Sequence, residues 1–176
     1  MKAEVLLAIF VLITTRITIH TSCVDIKQFV NTSQKIWTVR TTNRAFVKCE
    51  ADQMKSIPPL SIDFVRSSSI MGTSRNLRIL GVFDSQHKKR MTLFYKGSFV
   101  STDTMIFMDA DLSCAVFKIE SLRDWNIVYY DLRVTNSSIS QRPRPSCRNF
   151  FSRIIGMEPH FVVYSSRCQQ IMRAEK

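Results

Sequence analysis

"YYDLRV", Tyr129–Val134, decides how the rest of the chain is read. Side chains alternate between faces along a strand. Tyr129, Asp131 and Arg133 therefore share one face, and Tyr130, Leu132 and Val134 take the other. A phenol, an acid and a base in one row face either water or a cavity that holds something polar. Which of these applies depends on the elements around the row.

Working outward, the chain is a series of short runs rich in Val, Ile, Thr, Phe and Tyr, the residues that favour strands. The runs are Ile36–Thr42, Ala45–Glu50, Ser61–Ser68, Asn76–Asp84, Met91–Lys96, Thr102–Met108, Cys114–Ser121 and Ile127–Thr135. Turn residues separate them, notably Pro58-Pro59, Asp84–Lys88, Gly97-Ser98 and Asp109–Ser113. Short strands at this spacing predict an all-β meander that closes as a barrel or sandwich, with minor α content. Ile26, Phe29 and Val30 stand at helical spacing before the first strand. After the prolines of "NSSISQRPRPS", Ser146 can cap a helix from Cys147. Phe150, Phe151, Ile154 and Ile155 would form its apolar stripe, and Gly156 its stop. "FVVYSSRC", Phe161–Cys168, follows as a last extended segment.

Met1–Cys23 reads as a secretory signal peptide: Lys2, then "VLLAIFVLI" at Val5–Ile13, then small polar residues. That run is too short to span a bilayer, and no later run is long and apolar enough. The expected mature chain is one domain, residues 24–176, extracellular and monomeric. Cleavage after Cys23 leaves Cys49, Cys114, Cys147 and Cys168, which permit three disulfide pairings. Asn31-Thr32-Ser33 and Asn136-Ser137-Ser138 are glycosylation sequons.

The chain holds 25 Lys+Arg against 14 Asp+Glu, a formal net charge of +11. Such a balance suits anionic partners or plain solubility. Only "HKKR", His87–Arg90, is a dense basic run, and no nucleic-acid motif accompanies it. Nothing points to an enzyme, a metal or a cofactor. His87 and His160 fall in turn or loop contexts, His20 in the leader, and Asp109 and Asp111 in a turn. No nucleophile motif is present.

Several segments, in this order, resemble the tick salivary lipocalins, the family that includes histamine-binding proteins. "DIKQFVNTSQKIWTVRTTN" (Asp25–Asn43) is similar to the family's first helix and Trp-bearing strand. "SCAVFKI" (Ser113–Ile119) is similar to a cysteine-bearing strand, and "YYDLRV" to a "Y-E-L-W-V" strand. "PSCRNFFSRIIG" and "VVYSSRC" are similar to the C-terminal helix and terminal cysteine. The resemblance spans about Asp25 to Gln169. It implies an eight-stranded antiparallel barrel with the C-terminal helix packed outside. It also implies disulfides Cys49–Cys168 and Cys114–Cys147, and an interior that sequesters a host mediator: histamine, serotonin or an eicosanoid. Some relatives bind complement protein instead.

By that resemblance Asp131 points inward, with Tyr129 and Arg133 beside it. Tyr95 and Leu93 point inward too, and Trp37 matches the Trp that closes the barrel floor, a structural role before a ligand contact. Tyr95, Phe107, Tyr129 and Asp131 would cage an amine, each aromatic face contributing about 0.5–2 kcal/mol. Two departures favour an anionic lipid instead. Met105 stands where histamine-binding members carry an inward acid, and Arg133 where they carry Trp. A fatty tail would then lie along Leu93, Met105 and Phe107, with its carboxylate on Arg133. A third reading gives function to surface loops such as "HKKR", binding a host protein or glycan. The structural alternative is that Asp131 and Arg133 pair with each other, or with Lys118 or Glu120 next door.

Overall fold

A computed structural model describes residues 24–44, 46–121, 127–140 and 142–172. The leader at Met1–Cys23 lies outside them. A short helix α1 (Ile26–Val30) is followed by strands β1 (Ile36–Thr41), β2 (Val47–Ser56), β3 (Ser61–Ile70), β4 (Thr73–Phe83), β5 (Arg90–Tyr95), β6 (Ser98–Met108), β7 (Cys114–Ser121) and β8 (Ile127–Thr135). Helix α2 (Pro145–Ile155), a two-residue strand β9 (Phe161–Val162) and helix α3 (Cys168–Ile171) follow among the described residues. The strands pair in sequence from β2 to β8, and β1 joins both edges, so the sheet closes as an antiparallel barrel.

Closure is split along β1. Ile36 and Trp37 pair with Asp52 and Ala51 of β2, while Arg40 and Thr41 pair with Val162 and Phe161 of β9. The C-terminal segment bridges the gap where β1 and β2 part. The Cys49 amide donates to Val163 O, and the Val163 amide to Val39 O. The Cys49–Cys168 disulfide ties that segment to β2, and Cys114–Cys147 ties α2 to β7. This is the pairing the resemblance implied.

The largest boundary difference is β2, expected at Ala45–Glu50 and observed at Val47–Ser56. Its continuation "ADQMKS" does not alternate polar and apolar residues: the inward face carries Asp52 as well as Met54, so no apolar stripe marks the strand. Helix α2 starts at Pro145, whose fixed φ suits a first helical position. Ser146 does not cap it; its hydroxyl donates to Asp109 Oδ1 at 2.7 Å. The helix stops at Gly156, with φ of 56°. Cys147, Phe151 and Ile155 are buried against the barrel wall, whereas Ile154 is exposed.

One end of the barrel is plugged. Helix α1 lies across it, with the Ile26 amide donating to Lys88 O and the Lys27 ammonium to Pro59 O, both at 2.9 Å. The "DSQHKKR" connection is organised by Asp84, which accepts from the His87 and Gln86 amides and the Arg90 guanidinium. These donors, the His87 amide first, hold its carboxyl well below the usual range. The opposite, open end carries the β1–β2 loop and the two-residue turns Met71-Gly72 and Lys96-Gly97.

Candidate functional site

Apolar side chains fill the plugged half of the barrel: Ile26, Phe29, Phe64, Met91, Leu93, Met105 and Phe117. In the middle lies a row of charge. Asp131 and Arg133 are each 2% exposed, so the row in "YYDLRV" faces inward. The Arg133 guanidinium donates to Asp131 Oδ2 at 2.9 Å and lies 3.0 Å from Asp103 Oδ2. It also stands 3.9 Å from Asp52 Oδ2 and over the Phe117 ring, 4.5 Å from its centroid. Arg66 of β3 grips Asp52 with two bonds, at 2.7 and 2.8 Å, and stands over the Phe64 ring. Glu50 completes the group, accepting from the Thr38 hydroxyl at 2.9 Å.

Asp131 and Arg133 therefore do pair with each other. Lys118 and Glu120 take no part and form their own bridge at 2.8 Å. The interior holds four carboxylates, Glu50, Asp52, Asp103 and Asp131, against two guanidiniums, Arg66 and Arg133. Burial pushes the Asp131 carboxyl above its usual range, against the pull of Arg133 and the Thr41 hydroxyl. It does the same to Glu50, against the pull of Arg66. Tyr129 is raised as well, by burial and then by the charges of Asp131, Asp103 and Glu50. Asp103 is fully buried. Its Oδ1 accepts from the Ser101 hydroxyl at 2.9 Å, but Oδ2 has no aligned hydrogen-bond donor.

Two small cavities flank this row, each about 20 Å³, room for about one water apiece. One lies between α1 and Arg133, against Phe29, Asp52 and Phe117. The other lies towards the open end, against Glu50, Tyr129, Asp131 and Thr41. Among the described residues no group of three or more His, Cys, Asp or Glu is placed to hold a metal ion. No helix among them is long and apolar enough to cross a membrane.

The expected site residues divide. Leu93, Met105, Tyr129, Asp131 and Arg133 belong to the interior. Tyr95 packs on the same core from the open end, with the Lys96 ammonium 5.5 Å from its ring centroid. Phe107 is a correction. The pairing with β7 shifts register between Met105 and Phe107, so a bulge at Ile106 turns Phe107 outward. There it stacks on Phe150 of α2 at 4.6 Å. Trp37 is the second correction. It alternates with inward Ile36 and Thr38, faces out, and packs with Cys49, Cys168, Met172 and Tyr164. Its indole N–H donates to Asn136 Oδ1 at 2.9 Å, so it holds the C-terminal segment and lines no cavity.

The supposed shortage of acid is the third correction. Met105 does occupy an inward position, but Asp103 on the same face of β6 supplies the carboxylate two residues earlier. The i, i+2 rule applied to "DTM" would have found it. Arg133, already facing Asp131, Asp103 and Asp52, has little left to offer a ligand carboxylate.

No protein-family model and no curated protein matches the sequence. Solved structures do. AM182 in its serotonin complex is 18% identical with a TM-score of 0.60, over 77% of this chain and 85% of that one. The siderocalin Ex-FABP is 12% identical with a TM-score of 0.59, over 76% and 94%. Japanin from Rhipicephalus appendiculatus, bound to cholesterol, is 10% identical with a TM-score of 0.55, over 78% and 96%. Identities this low carry the architecture alone. Together with the closed eight-stranded barrel, the early plugging helix and the C-terminal helix on the wall, they show that this chain has the lipocalin fold.

Proposed function

We propose that the protein is a secreted lipocalin that sequesters a small organic cation, an amine of the histamine or serotonin kind, inside its barrel. It would thereby blunt a host's inflammatory signal, as the tick salivary proteins it resembles do. One observation carries this reading: the interior holds four acids and two bases. Three buried ionisable groups, Asp103, Asp131 and Arg133, with Glu50, Asp52 and Arg66 partly buried beside them, cost desolvation that an apolar barrel avoids, so their presence argues for use rather than stability. The formal excess is negative. An ammonium entering beside Asp103, Asp131 and Glu50 supplies the missing positive charge, and the unaligned Asp103 Oδ2 is a ready acceptor.

Aromatic faces suit the same ligand. The two arginines already stand over Phe117 and Phe64, so the interior accommodates cations on rings. Room comes from flexible side chains, since Met54, Met91 and Met105 border the row and repack at small cost. The serotonin complex of AM182 is in keeping with this chemistry. Titration calorimetry with histamine, serotonin and arachidonate tests the proposal. A saturable heat with an amine, lost in Asp103→Asn, is expected. Binding of arachidonate with no heat from either amine would overturn it.

A further inference from the structure

The open rim of the barrel carries side chains that neither the fold nor the interior uses. Phe46 is 80% exposed and Met71 is 89% exposed. They are neighbours: Val47 pairs with Ile70, so Phe46 and Met71 follow at the adjoining strand ends. Together with Lys48, Ser69 and Gly72 they line one surface hollow of about 370 Å³. Exposed Phe161 and Val162 extend the apolar surface along β9, where the Lys48 ammonium reaches Val162 O. Ile127 and Val128, at the start of β8 on the same rim, are exposed too.

The turn chemistry makes these residues unusual. Met71 (φ 50°) and Gly72 (φ 83°) form a two-residue hairpin turn with both central residues left-handed. Lys96 (φ 51°) and Gly97 (φ 76°) form another. Asn or Asp is the favoured first residue of such turns, because a left-handed backbone penalises ordinary side chains. Here a methionine and a lysine stand in that place, both exposed. Cations predominate along the rim: Arg44, Lys48, Arg75 and Lys96 are all exposed, while the Glu120 carboxylate opposite Val128 is paired with Lys118.

We propose that this rim docks on an anionic lipid surface, with Phe46 and Met71 entering the headgroup boundary and the four cations meeting lipid phosphates and carboxylates. A polyanionic sugar would use the cations but leave the apolar tips in water. A second copy of this chain would bring cationic rim against cationic rim. An anionic bilayer satisfies both features at once. Such docking does not depend on what the barrel holds.

Co-sedimentation with phosphatidylcholine vesicles, with and without phosphatidylserine, tests it. The protein should pellet with the phosphatidylserine vesicles and release at high salt. Phe46→Ser combined with Met71→Asn should lower partitioning about tenfold or more. Asn suits the left-handed turn, so the variant should melt no lower than its Phe46→Ser parent, which separates loss of docking from loss of fold. Equal pelleting of variant and wild type would overturn the proposal. So would equal binding to neutral vesicles, or retention on heparin with no vesicle binding.

Discussion

The Arg133 guanidinium lies 2.9 Å from Asp131 Oδ2 on its own strand and 3.0 Å from Asp103 Oδ2 on β6. One cation thus joins two carboxylates, with β7 running between their strands. Removing it strands both acids in a place with almost no water. Arg133→Met should cost about 3–5 kcal/mol of stability by chemical denaturation, the range for an orphaned buried charge. Adding Asp103→Leu to that variant should recover a large part of the loss, because the remaining imbalance is smaller. An additive pair of effects would mean that the two groups are not coupled.

The acids set the pH dependence. Burial raises the Glu50 and Asp131 carboxyls, so the folded protein holds their protons more tightly than the unfolded chain does. Stability from these groups is therefore greatest below the unfolded carboxylate range and is lost as pH rises through the raised values. An ammonium ligand has the opposite demand, since it favours ionised acids. Amine affinity should fall by up to about tenfold per pH unit per carboxylate on acidification through that range. Amine binding should also release protons, seen as a calorimetric enthalpy that changes with the buffer's ionisation heat. A buffer-independent enthalpy would show that the carboxyls are already ionised when the ligand arrives.

Phe107 and Met105 separate wall from interior. Phe107 stacks on Phe150 between barrel and α2, whereas Met105 is fully buried inside. Phe107→Ala should lower stability by about 1–3 kcal/mol and leave ligand affinity unchanged. Met105→Ala should alter affinity in calorimetry, because it enlarges the space beside the charged row. A loss of affinity in Phe107→Ala equal to that in Met105→Ala would place the ligand elsewhere.

The alternation of "YYDLRV" was legible because β8 is regular from Ile127 to Thr135. Strand order, α1 and both disulfides likewise followed from pattern or resemblance. The interior acids were harder to see for a physical reason. Glu50 and Asp52 occupy inward positions on β2, which breaks the apolar-in rule that marks a half-buried strand. Asp103 was within reach by counting back from Met105. Phe107 could not be placed from periodicity, because one bulged residue at Ile106 reverses every later side chain on β6. Trp37 needed the C-terminal segment, more than a hundred positions away, to define which side of β1 is buried there.

Asn136 joins a sequon to a structural bond. Its Oδ1 accepts from the Trp37 indole and from the Gln169 amide, both at 2.9 Å. Trp37 is fully buried, so an indole N–H without a partner there would cost about 1–3 kcal/mol. Two ways of deleting the sequon should therefore differ. Asn136→Ala removes the acceptor and should lower the melting temperature even in protein made without glycans. Ser138→Ala abolishes the same sequon, leaves the amide in place and should melt like the parent. At Asn31, an exposed residue just after α1, Asn31→Gln should be neutral in unglycosylated protein. Thermal melts of the three variants from a non-glycosylating host check this. Equal melting of Asn136→Ala and Ser138→Ala would mean that water satisfies the indole and that Asn136 is not the latch on the C-terminal segment.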